Sequence, residues 1–389
     1  MLSKRIQSLS ESLTIAITSL AQQLQREGKD VIGFSAGEPD FDTPRVIKDA
    51  AIDAIEKGYT KYTAVDGIPE LKEAIVAKLK RDNGLEYTTD QVIASNGAKQ
   101  SLFNLFQATI DPGDEVIIPA PYWVTYPELV KYSEGVPVAI DTDDSTAFKI
   151  TPEMLEKAIT PKTRMLILTT PSNPTGAVYS KAEIEALAEV LRGTDILVAS
   201  DEMYEKLVYH GTEFTATASV SDDMFQRTVT INGLSKSVAM TGWRFGYCAS
   251  ADRELVKAMK KLQSQSTSNI NTITQHAAIK GLDGSADADI ATMRAAFEER
   301  CDEAVRLFNA IDGLSVVPPR GAFYLFVNHK AVESDSIVFA KRMLEEVGIA
   351  VVPGAGFGTD GYFRFSFAKD LETIRRGIGR IAEFVEKYR

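Results

Sequence analysis

Cysteine is almost missing from this chain of 389 residues: only Cys248 and Cys301 occur. Two thiols this far apart build neither a disulfide framework nor a multi-thiolate metal site, and a reducing cytoplasmic compartment is the simplest expectation. Histidine is as sparse. His210, His276 and His329 lie scattered with no nucleophile motif beside them, which disfavours a hydrolase. No apolar run reaches membrane-spanning length, and no basic block interrupts a composition of 43 Lys and Arg against 54 Asp and Glu. A net charge of -11 makes nucleic acid and anionic membranes unexpected partners. Lys4 and Arg5 precede the semi-apolar run Leu13 to Ala21, but Glu11 intervenes and no small-residue cleavage site follows, so this segment reads as an N-terminal arm and helix. A G-x-G-x-x-G after an early strand is also missing, which removes a dinucleotide-binding oxidoreductase.

What is present is a long alternation of strand-like and helical runs. Single cores stop growing near about 250 to 300 residues, so two domains are expected. From Asp30, DVIGFSAGEPDFDTP gives a short strand and a Gly/Pro/Asp loop, then a helical period from Val46 to Lys57. Asp66-Gly67 makes a turn and Pro69 opens a helix. Gln91 to Gln107 reads as strand, tight turn and helix, and EVIIPAP as a strand leading to Trp123. Met165 to Leu168 leads to Asn173, Asp195 to Ser200 leads to Asp201 and Tyr204, and Thr228 to Ile231 leads to Lys236. KAEIEALAEVLRG has the helical period that a crossover between parallel strands requires. In open α/β sheets ligands bind outside the carboxyl ends of the strands, so Asn173, Asp201 and Lys236 are expected to converge. From about Asp283 the pattern changes to α+β, which reads as a second, smaller domain.

Several of these residues have two readings. Lys236 sits among Leu234, Val238, Ala239 and Met240, surroundings that favour a neutral, nucleophilic amine; a snorkelling surface lysine is the alternative. Backbone N–H groups at Gly97 and Ala98, opening a helix, form an anion cradle or a plain strand-to-helix turn. Gly37 allows a close backbone approach to a ligand or is a turn glycine before Pro39. Trp123 at a strand end stacks on a flat ligand or fills core. Arg364, between apolar residues of YFRFSFA, needs an anion, from a substrate or from a structural ion pair.

GLSKSVAMTGWRFG resembles the pyridoxal-phosphate attachment signature of class I, fold type I, aminotransferases: Gly233, Leu234, Ser235, Lys236 and Arg244 match, and Phe245 departs where most members carry an aliphatic residue. The resemblance implies a mostly parallel seven-stranded sheet between helices in a large domain over 46–285, a small α+β domain over 286–389, and an N-terminal arm over 1–45 that belongs in part with the small domain. It implies pyridoxal 5'-phosphate as cofactor, a Schiff base on Lys236, Asp201 at the ring nitrogen, Tyr204 and Asn173 at the ring's phenolate oxygen, and Trp123 stacked on the ring. Ser235, Arg244, Gly97 and Ala98 would hold the phosphate, together with Tyr62 reaching across a homodimer interface. Arg364 would take the substrate α-carboxylate, beside the loop of Gly37. Asn173-Pro174 is expected to be cis.

The closer resemblance is to the prokaryotic subgroup Ib. There a lysine of a GAKQ motif with an N-terminal Ser-x-Thr holds the second carboxylate, here Lys99 with Ser12 and Thr14. On the residues alone, a helix-surface lysine is the other reading of Lys99. Members accepting prephenate often have a lysine where Ser10 stands, which weakens that substrate. The expected reaction is ping-pong transfer of the amino group of L-aspartate to 2-oxoglutarate, with prephenate, aromatic or alanine substrates, or a lyase of the same fold, as alternatives. Neither a metal nor an attached DNA-binding module, which would make the chain a ligand-sensing regulator, is expected.

Overall fold

The computed structural model describes residues 2–10 and 13–389. Strand β1 (Ile32–Gly33) is followed by β2 (Val92–Ser95), β3 (Glu115–Ala120), β4 (Val136–Asp141), β5 (Thr163–Thr169), β6 (Leu197–Asp201), β7 (Thr228–Gly233) and β8 (Gly246–Ser250). The last seven form one sheet in the order β2-β8-β7-β6-β5-β3-β4. Pairing is parallel from β4 through β3, β5 and β6 to β7, while β8 runs antiparallel to both β7 and β2. Every residue of β2, β7 and β8 is buried, as expected of strands covered by helices on both faces. The crossover helix Lys181–Leu191 shows how such elements start: Ser180 accepts from the Glu183 amide while Glu183 bonds the Ser180 amide, and Ile184, Leu187, Ala188 and Leu191 face inward.

Beyond the sheet come β9 (Ser315–Val316), β10 (Tyr324–Asn328), β11 (Ile349–Ala350), β12 (Val352–Pro353) and β13 (Tyr362–Ser366). Four of them make an antiparallel sheet, β12-β13-β10-β9, whereas β11 pairs in parallel with β1. Phe34 stacks on Phe365 with ring centroids 4.2 Å apart, and its carbonyl accepts from the Ser366 amide at 2.9 Å. The early segment is therefore fastened to the late one.

The carboxyl ends of β2, β3, β5, β6 and β7 share one edge of the large sheet. Because β8 points the other way, its first residue lies on that same edge, with Gly246 opposite both Ser95 and Gly233. That reversal carries Arg244 to the place where Gly97 and Lys236 already are. The Asn173-Pro174 peptide is cis, as are Ala120-Pro121 and Thr170-Pro171, which the sequence did not announce. The helix expected in the N-terminal arm spans Leu13–Arg26, beyond the semi-apolar run that ends at Ala21, because Gln22, Gln23 and Gln25 continue it without a breaker.

Candidate active site

A cavity of about 530 Å³ opens at the shared strand edge. Lys236 enters it from the loop after β7, half-buried, with its amine donating to the Gly37 carbonyl. Burial pushes its pKa down to about 8; Arg364 and Arg244 act in the same direction, and Glu38 and Asp201 oppose them. A substantial neutral fraction at physiological pH follows, which an ordinary lysine lacks.

Asp201, the last residue of β6, is buried in the cavity floor. Its Oδ2 accepts from the Tyr126 hydroxyl at 2.7 Å and its Oδ1 from the Met203 amide at 3.2 Å. Burial raises its pKa, against those two hydrogen bonds and the charge of Lys236. The Tyr204 hydroxyl lies 2.8 Å from that of Tyr324.

Arg364 arrives from β13 and is 2% exposed. Its Nη1 donates to Asn173 Oδ1 at 2.9 Å and its Nη2 to the Ser35 carbonyl at 2.7 Å, while Nε has no partner among the described residues. The Tyr324 ring lies 4.4 Å below the guanidinium. None of these neighbours is a carboxylate, and desolvation lowers the pKa of Arg364. A buried cation supported only by neutral dipoles is poised for an anion.

At the opposite end, the helix Ala98–Thr109 begins behind Gly97, whose φ of 85° suits glycine. A Cβ at Gly97 would run into the guanidinium of Arg244. Arg244 donates to the Thr241 carbonyl at 2.9 Å and to the Asn96 carbonyl at 3.4 Å, again with no acid among these acceptors. Ser235 is buried beside it in the cavity wall. Lys99 places its ammonium 4.9 Å from the Trp123 ring centre. Although Lys99 as a whole is exposed, desolvation of the ammonium by surrounding protein and then the like charge of Arg244 lower its pKa. Trp123 itself is half-buried and faces the cavity, so it is not simply core.

Comparison with known proteins fits this geometry. Residues 29–381 match the family model for aminotransferases of class I and II. This chain belongs to that family. A relative from Nitrosomonas europaea named aspartate/prephenate aminotransferase is 48% identical over 396 aligned residues, covering 99% of each chain. An aspartate aminotransferase structure from Rhizobium meliloti superposes with a TM-score of 0.96 at 44% identity, covering both chains fully. One from Thermus thermophilus with maleate gives 0.95 at 43% identity, over 98% of this chain and 99% of that one.

The cofactor of this aminotransferase family is pyridoxal 5'-phosphate. The site suits such a group: a helix N-terminus with a glycine cradle and a lone arginine for a phosphate, an amine near pKa 8 for an aldehyde, and a buried carboxyl for a ring nitrogen. Tyr62 is not brought to the cavity of its own chain; it is 91% exposed, beside Asn269 to Ile273. Ser12 lies outside the described residues, as does the side chain of Thr14. From the same N-terminal helix, Thr18, Ser19 and Gln22 line the cavity.

Sequence reasoning missed Tyr126, Tyr324 and Glu38. Tyr126 had a usable signal, since it follows Trp123 by three residues, in the first turn of the helix Thr125–Tyr132 that the chain enters after β3. Glu38 sits in the loop already marked by Gly37 and accepts from the Thr241 hydroxyl at 3.0 Å. Tyr324 had none, because an aromatic residue in an apolar strand reads as core until the packing of β10 over the cavity is known.

Proposed function

We propose that this aminotransferase moves the amino group of L-aspartate to 2-oxoglutarate, giving oxaloacetate and L-glutamate by a ping-pong course, as a cytoplasmic homodimer. The observation that carries this reading is Arg364: a buried guanidinium with a partnerless Nε and no acidic neighbour fits one carboxylate of a substrate. A second cation, Lys99, with no acidic partner among the described residues, stands in the same cavity wall and fits the other. The names of the relatives support the substrate, and maleate in the Thermus thermophilus structure is itself a dicarboxylate.

Pyridoxal 5'-phosphate, when bound, supplies an aldehyde on an electron-withdrawing ring that takes up the electron pair left as the substrate α-proton departs. Lys236 would hold that aldehyde through its amine and, with the amine free, would carry the substrate α-proton, for which a pKa near 8 is suited. Asp201, steadied by Tyr126 and the Met203 amide, would hold a proton on the ring nitrogen. Tyr204 and the Asn173 amide nitrogen would donate to the ring oxygen, since Asn173 uses only its Oδ1 toward Arg364. Gly97, Ala98, Ser235 and Arg244 would hold the phosphate, with Tyr62 from the other subunit. The β1–β11 pairing supports grouping 1–45 in part with 286–389, around a large domain over 46–285.

Prephenate is a second reading, favoured by the name of the Nitrosomonas europaea relative and disfavoured by Ser10. Steady-state rates with aspartate, glutamate, alanine, aromatic amino acids and prephenate test both. Aspartate is expected to lead. Lys99→Ala is expected to lower kcat/KM for aspartate by about tenfold to a hundredfold, the loss of one charge-assisted hydrogen bond, and to spare alanine. Equal loss for alanine would take Lys99 out of that role.

A further inference from the structure

Arg244 owes its place to a turn whose own support comes from elsewhere in the chain. Residues 239–244 leave Lys236 behind and return to β8, with φ of 51° at Ala239 and 58° at Arg244. Two non-glycine residues in the left-handed region need something to hold them. Thr43, 9% exposed and far away in sequence, touches the turn twice. Its hydroxyl donates to the Ala239 carbonyl at 2.8 Å and accepts from the Trp243 indole N–H at 3.0 Å. One hydroxyl thus pins the residue that opens the turn and the residue just before Arg244. The other end of the Arg244 side chain rests on the Thr241 carbonyl, inside the same turn.

We infer that Thr43 is a positioning residue: it fixes the turn 239–244 and thereby holds the Arg244 guanidinium over the helix N-terminus at Gly97, where the cofactor phosphate binds. The inference rests on the phosphate reading of Arg244 given above. Thr43 ends the loop that carries Gly37, the acceptor of the Lys236 amine, so one short segment braces both the lysine and the arginine.

The test measures binding of pyridoxal 5'-phosphate and of phosphate-free pyridoxal to the cofactor-stripped full chain, by equilibrium dialysis. Thr43→Val keeps the shape and removes both hydrogen bonds; Trp243→Phe removes one and serves should the valine variant not fold; Thr43→Ser restores the hydroxyl. About a tenfold weaker affinity for the phosphorylated form is expected in Thr43→Val, a severalfold loss in Trp243→Phe, near wild-type affinity in Thr43→Ser, and little change for pyridoxal throughout. Equal losses for both vitamers, or no loss, overturn the inference. Arg244→Gln separates the two levels: phosphate-selective loss there with none in Thr43→Val sinks the role of Thr43 alone, whereas no selectivity in Arg244→Gln sinks both.

Discussion

Asp201 and Glu202 are neighbours with opposite fates at the end of β6. Asp201 turns into the cavity, while Glu202 is 0% exposed and faces the packed side. Glu202 Oε1 accepts from the Ser200 hydroxyl and the Thr217 amide, each at 2.9 Å, and Oε2 has no partner. Burial lifts its pKa to about 7, the Thr217 amide and Ser200 hydroxyl pull it back, the Glu205 carboxylate adds to the rise, and Lys78 opposes it. The folded state therefore holds a proton that the unfolded state, at 4.5, has released. Its contribution is full below 4.5 and is lost as pH rises toward 7, so stability falls across that window by roughly 3 kcal/mol in total. Glu202→Gln, which mimics the protonated acid, is expected to flatten this part of the stability profile and to raise the neutral-pH melting temperature. Melting curves of the two proteins across the window check it; parallel profiles would remove Glu202 as the cause. The sequence DEMY offers both acids to the same strand end, and the family pattern singled out Asp201. Nothing local distinguished the role of Glu202, because the side it faces depends on strands paired from far away.

At the level of elements, the strand ends were legible because apolar runs lead to Asn173, Asp201 and Lys236, and the helical period of 181–193 between the first two calls for a parallel crossover. The reversal of β8 was less so, since GYCAS reads alike in either direction; the signal was the connection 234–245, which holds no helix and so cannot serve as an ordinary crossover. The reversal has a steric consequence. Gly246 starts β8 so close to the helix Ala98–Thr109 that an added Cβ would overlap the Ala98 amide nitrogen and the Gly97 carbonyl carbon. Backbone cannot swing aside as a side chain can, so Gly246→Ala is expected to push the helix start off the sheet. Destabilisation of about 1 to 3 kcal/mol is the usual cost of such overpacking, and phosphate affinity is expected to fall with it. Thermal melts and cofactor titration of that variant measure both, and unchanged affinity would mean that the cradle does not depend on this contact.

The whole molecule closes its cavity with pieces from both ends of the chain. Thr18, Ser19 and Gln22 come from the N-terminal helix, Ser35 and Gly37 from the segment after β1, Tyr324 from β10 and Arg364 from β13, and most of the other lining residues from the edge of the large sheet. The sequence held no cue for the β1–β11 pairing, which two-residue strands establish between residues remote in the chain. Among the described residues, Tyr62 stands out at 91% exposure, beside Tyr59 and not far along the chain from exposed Ile52 and Ile55. Apolar exposure of this kind fits an interface, and in the proposed dimer it would carry the Tyr62 hydroxyl to the phosphate of the other subunit. Sedimentation equilibrium is expected to give a dimer for both the wild type and Tyr62→Phe. The variant should lose severalfold in affinity for pyridoxal 5'-phosphate, as one hydrogen bond to a charged group goes, and nothing for pyridoxal. A monomeric wild type, or identical losses for the two vitamers, would leave the tyrosine without a part in the neighbouring site.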